Sequence, residues 1–312
     1  MQRSPVLYLW LLFMGAGWGL SIPLSKIAVS SGHQPFGLIF WQLTIVVGVL
    51  GMVCAWRRKP LVVGRQYWRL FFMVALCGAV LPDIFYYISA ARLPAGVMSI
   101  IISCVPMFPL PIALLLKNEQ FSWRRISGLS LGLAGIFLLA GPEASLPDKA
   151  MAAFVPVALL APVLYATEGN LVAKWGTQDL DSVQTLLSAS LLGVIIVFPI
   201  SLATGQWINP LQSFGKPEFA LIGAAVIHGI VYSNYVWLVG KAGSVFAAQT
   251  AYLVTGFGVV WSMVLLSERY SNYIWAALGI MLIGIFLVQP RIREALDPDL
   301  SIDENSIQHQ GN

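Results

Sequence analysis

Charged residues are scarce in this 312-residue chain. Aspartate, glutamate, lysine and arginine together make up 10% of it, whereas apolar residues make up 58%. A soluble domain carries roughly 25% charged residues, so the composition excludes an ordinary soluble protein and predicts a membrane protein. The net charge of +4 does not indicate a nucleic-acid partner, because the basic residues stand in short gaps between apolar runs.

Cysteine and histidine are also rare. The three cysteines, Cys54, Cys77 and Cys104, all lie inside apolar runs, and their odd number argues against a disulfide framework. Of the three histidines only His228 lies in an apolar run, which argues against a His-rich metal site. The chain has no P-loop glycine pattern. The sequence therefore predicts no cofactor and no direct use of ATP.

Long apolar runs dominate what is present. One helical crossing of a bilayer needs about 20 apolar residues, and ten such windows can be placed along the chain. They lie near residues 7 to 28, 36 to 56, 68 to 90, 95 to 116, 123 to 141, 151 to 173, 183 to 203, 218 to 239, 244 to 266 and 272 to 289. The first window lacks a signal-peptide cleavage site, so we expect it to stay as a helix. The predicted fold is an all-α polytopic membrane protein with ten transmembrane helices.

The basic residues predict an orientation. If the N-terminus is inside, the inner gaps hold most of the 18 lysines and arginines. The outer gaps then hold only Lys26, Arg92, Lys149, Lys216 and Arg269. Loops rich in lysine and arginine next to transmembrane helices are retained on the cytoplasmic side of a membrane. We therefore predict a protein of the bacterial inner (plasma) membrane with both termini in the cytoplasm.

The chain contains an internal duplication. Glu119 precedes Glu268 by the same number of residues as Gly135 precedes Gly284 and Arg92 precedes Lys241. We predict two five-helix repeats, at residues 1–145 and 146–290, followed by a polar, disordered cytoplasmic tail at 291–312. Because five is odd, the second repeat enters the membrane inverted. Inverted repeats are a common construction for secondary transporters, with the substrate site at mid-membrane between the halves.

The order of these motifs resembles the drug/metabolite transporter superfamily, in particular its ten-helix EamA-type members. In the first repeat the resemblance rests on Trp18-Gly19 before Lys26, the aromatic run from Phe85 to Ala90 before Pro94-Ala95, Pro106, Glu119, and Gly128, Gly132 and Gly135. In the second it rests on Tyr235, Trp237, Ala247, Ala248, Glu268 and Gly284. One departure is Trp41-Gln42, where many members have an arginine early in the second helix.

The resemblance implies a function without ATP. It implies alternating-access transport of small metabolites or drugs, often amino acids and usually outward, with coupling to protons or to a counter-substrate left open. The oligomeric state is also left open. A channel-like facilitator and a non-transporting scaffold are the alternatives. An intramembrane enzyme is a weaker alternative, because the G-x-S-x-G pattern of residues 128–132 lies in an apolar helix, where its glycines have the spacing of close helix packing.

Three ionisable residues lie at membrane depth and are candidates for the substrate site. Burying Asp, Lys or Arg at a helix centre costs about 2.5 to 3.5 kcal/mol on insertion scales, so such residues usually have a function. The three are Asp83, Glu168 and His228. The alternatives are a protonated, hydrogen-bonded Asp83, an interhelical bond from His228, and a Glu168 that only approaches the inner interface.

Helical spacing groups these residues with aromatic side chains. Asp83 shares a face with Tyr86 and Tyr87, and His228 shares one with Tyr232 and Tyr235. The repeat spacing makes these two faces equivalent, and we predict that both line the cavity. The remaining candidates are deep aromatic residues and their polar neighbours: Trp18, Trp41, Gln42, Tyr165, Asn170, Asn234, Gln249 and Tyr252. Such a cavity suits an amphipathic or zwitterionic solute.

Two further features bear on gating. Glu119 and Glu268 each close a helical hairpin, and we expect each to cap the next helix or to pair with Arg124 or Arg269. Prolines at 106, 109 and 111 interrupt the fourth helix. The equivalent stretch at 255–258 has glycines instead, and the alternatives for both helices are a kink that serves gating and simple curvature around neighbouring helices.

Overall fold

The computed structural model describes residues 5–115, 121–142, 145–177, 179–211, 214–242 and 244–288. Glu119 and the predicted tail at 291–312 lie outside this part of the chain. Every regular element in the described ranges is helical, which confirms the all-α prediction.

Ten long helical segments, numbered α1 to α10 here, follow one another with short connections. They are α1 Pro5–Val29, α2 Pro35–Trp56, α3 Arg65–Ala90, α4 Ala95–Leu115, α5 Trp123–Ala140, α6 Lys149–Trp175, α7 Ser182–Ala203, α8 Lys216–Ala242, α9 Thr250–Leu266 and α10 Asn272–Val288. The first eight are long and apolar enough to cross a membrane, whereas α9 and α10 have 17 residues each.

Proline interrupts α4 as expected. It is α-helical over Ala95–Ile102 and Pro109–Leu115, with a 3₁₀ turn at Val105–Met107 between them. Proline lacks the backbone N–H that would continue the hydrogen-bond ladder. Asn170 of α6 reaches this interruption, donating from Nδ2 to the carbonyl of Pro109 at 3.2 Å.

The glycine-rich stretch at 255–258 does not interrupt its helix, since α9 is continuous through these residues. Glycine, unlike proline, keeps its backbone N–H, so the ladder survives. The interruption lies earlier, at Ala248 and Gln249, between a short helix Ser244–Ala247 and α9. Gly258 allows close approach instead: a Cβ there would collide with Ser99 of α4, and Gly19 of α1 packs against its backbone N.

A π-helical turn widens α3 at Leu76–Val80, where the N–H of Leu81 bonds to the carbonyl of Leu76. Pro82 follows at once and has no N–H to donate to Gly78, four residues before it, so the regular ladder fails here. Turns of this kind often mark functional sites.

The helices pack in a repeated pattern. Helix α1 packs against α8 and α9, and α6 packs against α3 and α4. Likewise α2 packs against α8, and α7 against α3. The pairs α2 with α7, α4 with α9, and α5 with α10 complete the bundle. At the last pair the backbones nearly touch, since a Cβ at Gly128 would lie 2.6 Å from the carbonyl oxygen of Gly284. This confirms the packing interpretation of the G-x-S-x-G pattern.

Candidate functional site

Two helices bring polar side chains around the buried carboxylate of Asp83. Gln42 of α2 donates from Nε2 to Asp83 Oδ2 at 2.7 Å. The hydroxyl of Tyr165 on α6 donates to Asp83 Oδ1 at 3.4 Å. Tyr87, one helical turn after Asp83 on α3, donates its hydroxyl to Gln42 Oε1. Asp83 and Tyr87 are both buried, at 7% and 1% exposure. The network joins α2, α3 and α6 at membrane depth.

Glu168 of α6 places a second carboxylate beside α3. A Cβ added at Gly78 would lie 2.7 Å from its Cδ and within 2.9 Å of both carboxylate oxygens. The carboxylate therefore occupies the space that a side chain at position 78 would take, at the π-helical turn of α3. We refer to Gln42, Asp83, Tyr87, Tyr165 and Glu168 as the polar cluster.

Aromatic rings gather between α1 and α8. The ring of Trp18 lies 6.2 Å from that of His228 and 5.5 Å from that of Tyr235. His228 in turn stacks on Tyr232, with the ring planes 20° apart and the centroids 6.3 Å apart. We refer to Trp18, His228, Tyr232 and Tyr235 as the aromatic cluster.

The two clusters lie on neighbouring helices, because α8, which carries His228, packs against α2, which carries Gln42. The combined site thus draws on α1, α2, α3, α6 and α8, with helices from both parts of the chain. It offers two carboxyl groups, one amide, tyrosine hydroxyls and ring faces, which can bind a small organic solute.

Other candidates from the sequence lie away from these clusters or bond elsewhere. Trp41 donates from Nε1 to the carbonyl of Ile208, and Asn170 bonds to α4 and to its own helix. Asn234 bonds only to Ile230 of its own turn, among the described residues. Gln249 is exposed at the interruption before α9. Two tyrosines pack on the large apolar core around α4 and α10: Tyr86 and Tyr252.

One end of the bundle is tied together by two long-range contacts. Lys26, in the last turn of α1, donates to the carbonyl of Ala90 at the end of α3 at 2.7 Å. Glu268, before α10, accepts the backbone N–H groups of Ala95 and Gly96 at 2.8 and 3.1 Å. Glu268 therefore caps α4 in the first part of the chain. The expectation that it caps the next helix or pairs with Arg269 is wrong, because the start of α4 lies within its reach.

Tyr270 completes this cap. Its hydroxyl donates to Glu268 Oε2 at 2.5 Å. Burial, followed by the bond to Glu268, raises the pKa of Tyr270. The hydroxyl therefore stays protonated at neutral pH and remains a donor.

Sequence reasoning missed three parts of the site. Helical spacing reveals that Tyr87 shares the face of Asp83, but it does not reveal that Tyr87 bonds to Gln42 on another helix. Gly78 could have been noticed as a glycine just before Pro82 in a candidate helix. The target of Glu268 had no sequence signal, since it depends on how distant helices pack.

An apolar groove on the exposed side of the bundle is separate from both clusters. It has a volume of about 280 Å³ and contains none of the predicted site residues. Its lining is Phe13, Ala16, Gly17, Leu20, Ile227, Ile230, Val231 and Trp261.

Comparison with known proteins agrees with this architecture. The chain is 23% identical over 297 residues to a probable terminal-alkyne amino-acid exporter of Streptantibioticus cattleyicolor, covering 90% of this chain and 94% of that protein. It is 24% identical over 292 residues to the S-adenosylmethionine/S-adenosylhomocysteine transporter of Chlamydia trachomatis serovar L2, covering 90% of this chain and 88% of that protein.

A solved crystal structure shares the fold, with a TM-score of 0.60 at 15% identity over 92% of this chain and 98% of that one. The sequence model of the EamA-like transporter family matches this chain twice, at residues 6–141 and 153–289. These two matches cover nearly all of the helical region, and the chain belongs to the EamA-like transporter family of membrane transporters.

Proposed function

We propose that this protein is a secondary transporter that exports small organic metabolites across the bacterial inner membrane by alternating access. The observation that carries the proposal is the combined site, in which helices from both parts of the chain surround two membrane-depth carboxyl groups. Amino acids and related zwitterions are the leading substrate class. One similar protein is named as a probable amino-acid exporter and another as a transporter of S-adenosylmethionine and S-adenosylhomocysteine.

The proposed architecture is ten membrane crossings in two inverted repeats, at residues 1–145 and 146–290. The double match of the family model supports this division. The packing supports it too, because moving five helices along the chain converts the contact of α1 with α8 into that of α6 with α3. The same shift converts α1 with α9 into α6 with α4. Both termini are proposed to be cytoplasmic.

Alternating access requires that one end of the site be closed while the other is open. The cap from Glu268 to α4 and the bond from Lys26 to α3 lie at the end predicted to face outward. We propose that these two contacts close the outer end and that they separate when substrate leaves.

Counterflow in proteoliposomes tests the carrier function. Vesicles loaded with an unlabelled metabolite are expected to accumulate the same labelled metabolite transiently, because a carrier exchanges solutes across one site. A panel of amino acids and related amines serves as the set of probes. Flux without counterflow would indicate a channel, and no flux of any solute would indicate a scaffold; either outcome would contradict the proposal.

Asp83→Asn tests the proposed coupling. The substitution keeps the size of the side chain and one oxygen that can accept from Gln42 or Tyr165, but it removes the carboxyl group that exchanges a proton. We expect transport to fall at least tenfold and to lose its dependence on pH, measured by counterflow. Asp181→Asn, at the start of α7, is the control, since Asp181 lies in a helix cap outside the site. An unchanged pH profile in Asp83→Asn would remove Asp83 from the coupling step.

A further inference from the structure

The combined site is acidic. Asp83 and Glu168 lie in the interiors of α3 and α6, whereas every lysine and arginine in the described ranges lies in a loop or near a helix end. Lys26, the basic residue of α1, is directed to the carbonyl of Ala90. A solute in this site therefore meets negative charge without a positive side chain beside it.

Among the described residues, neither carboxyl group has a charged partner. In this part of the chain Asp83 receives bonds from the amide of Gln42 and the hydroxyl of Tyr165, both neutral donors. For Glu168, no described residue is placed to donate a hydrogen bond, and its carboxylate lies against the backbone of Gly78. A carboxylate taken out of water without a partner is costly, so this arrangement favours a ligand that brings a positive charge.

The groups around the carboxylates fit the same ligand. Tyr165 lies one helical turn before Glu168 on α6 and donates its hydroxyl to Asp83. Tyr87 donates its hydroxyl to Gln42, which itself bonds to Asp83. Ring faces attract organic cations within about 6 Å of the ring centre.

His228 is the other titratable group nearby. It stacks on Tyr232 and contacts Trp18, and no ion pair joins it to either carboxylate among the described residues. The aromatic cluster lies on α1 and α8, and α8 packs against α2, the helix of Gln42.

We propose that the site selects organic cations, with an amine bound between Glu168 and Asp83 and a flat apolar group on the aromatic cluster. The inference rests on the proposed carrier function and, within the small organic metabolites proposed there, places amines ahead of zwitterionic amino acids. A zwitterionic amino acid satisfies the carboxylates with its ammonium group but finds no basic side chain for its own carboxylate. An amine without that carboxylate binds more tightly.

Three ligands that share an indole ring differ in their charged groups, so they test the two charges independently. Tryptamine carries only the ammonium group, tryptophan carries both charges, and indole-3-propionate carries only the carboxylate. Binding to the purified protein is measured by the rise in unfolding temperature with ligand concentration. We expect tryptamine to bind at least tenfold more tightly than tryptophan, with no binding of indole-3-propionate.

Two variants test the role of the carboxylate. Glu168→Gln is expected to abolish the preference for tryptamine over tryptophan, whereas Glu168→Asp retains it. Glu218→Gln is the matched control, because Glu218 bonds to His33 and Gly215 at the start of α8 and not to the site. The comparison of ligands on the unsubstituted protein stands even if Glu168→Gln fails to fold.

The outcomes separate this inference from the carrier function. If tryptophan binds as tightly as tryptamine, or if none of the three binds while another solute shows counterflow, the cation preference is wrong and the carrier function stands. If no solute shows counterflow, the carrier function itself is wrong. A Glu168→Gln variant that folds and keeps the full preference would also overturn the inference.

Discussion

The two membrane-depth carboxyl groups differ in how their neighbours hold them. Asp83 is buried and fixed by bonds from Gln42 and Tyr165. Glu168 has space made for it by a residue that lacks a side chain, Gly78. The hydrogen bonds fix the position of the Asp83 carboxyl group, whereas the carboxyl group of Glu168 is left free to bind a ligand.

Gly78→Ala tests the contact between α3 and α6. The added methyl group would displace the carboxylate of Glu168, which is the flexible end of its side chain, so the overpacking costs less than the typical value of about 1–3 kcal/mol. We expect little change in the free energy of unfolding in detergent but weaker transport, because the carboxylate is moved. Gly169→Ala is the matched control, since a Cβ at Gly169 meets nothing within 4 Å and alanine favours the helix by about 0.5–1 kcal/mol. Equal effects of the two substitutions would contradict the role given to Gly78.

The individual site residues were partly predictable from the sequence. The cost of charge in a bilayer identifies Asp83 and Glu168 without a structure. The bond from Tyr87 to Gln42 was not predictable, because helical spacing defines a face but not the helix opposite it. Asn170 shows the reverse case: the sequence suggested a residue of the substrate site, but its side chain bonds to the carbonyl of Pro109. The proline interruption and the polar candidate were both visible, but their proximity depends on tertiary packing.

At the scale of elements, the start of α4 depends on a distant loop. Its first N–H groups have no partners within the helix, and the carboxylate of Glu268 accepts two of them. A negative charge at a helix N-terminus also interacts favourably with the helix dipole. The connection between α9 and α10 thus stabilises a helix of the other half.

Glu268→Gln tests this cap. A glutamine oxygen accepts only one of the two N–H groups well, and its NH₂ group opposes the other. We expect amide hydrogen exchange at Ala95 and Gly96 to rise about fivefold, which corresponds to about 1 kcal/mol. Glu218→Gln is the control, because Glu218 caps its own helix at Gly215. Unchanged exchange at Ala95 and Gly96 would show that the cap does not hold α4.

The helices were more predictable than their irregularities. Runs of apolar residues located all ten long segments to within a few residues, and prolines located the break in α4. The break before α9 was not predicted at its observed place. The glycines at 255–258 suggested a kink, but Gly258 instead packs closely against Ser99 and Gly19. A glycine in a membrane helix can serve either role, and the sequence does not distinguish them.

At the scale of the whole molecule, equal spacing of landmarks predicted a duplication. The packing of α1 with α8 and of α6 with α3 has the symmetry that a duplicated bundle requires. Sequence alone could not say which faces meet, because the apolar stripes of membrane helices differ little from one side to the other. That information comes from positions such as Gly17, Gly78 and Gly128, where a neighbouring helix fills the space that a Cβ would occupy.

Cysteine labelling tests the inverted arrangement. Lys59, between α2 and α3, and Leu211, between α7 and α8, are exposed and lie in connections that the repeat makes equivalent. We expect a membrane-impermeant thiol reagent to label Leu211→Cys in intact cells and Lys59→Cys only after permeabilisation. The unsubstituted protein is the control, since Cys54 and Cys104 are buried and Cys77 is half-buried. Labelling of both from one side would contradict the inverted arrangement.

The contact at Gly78 also bears on the proposed duplication. At one interface Gly78 of α3 receives the carboxylate of Glu168, and at its counterpart Gly17 of α1 receives Val231 and Ile227. Two identical copies of a bundle would have identical side chains at these two interfaces. In the present chain one interface carries a carboxylate and the other carries aliphatic side chains, so a solute between the proposed halves meets two unlike surfaces.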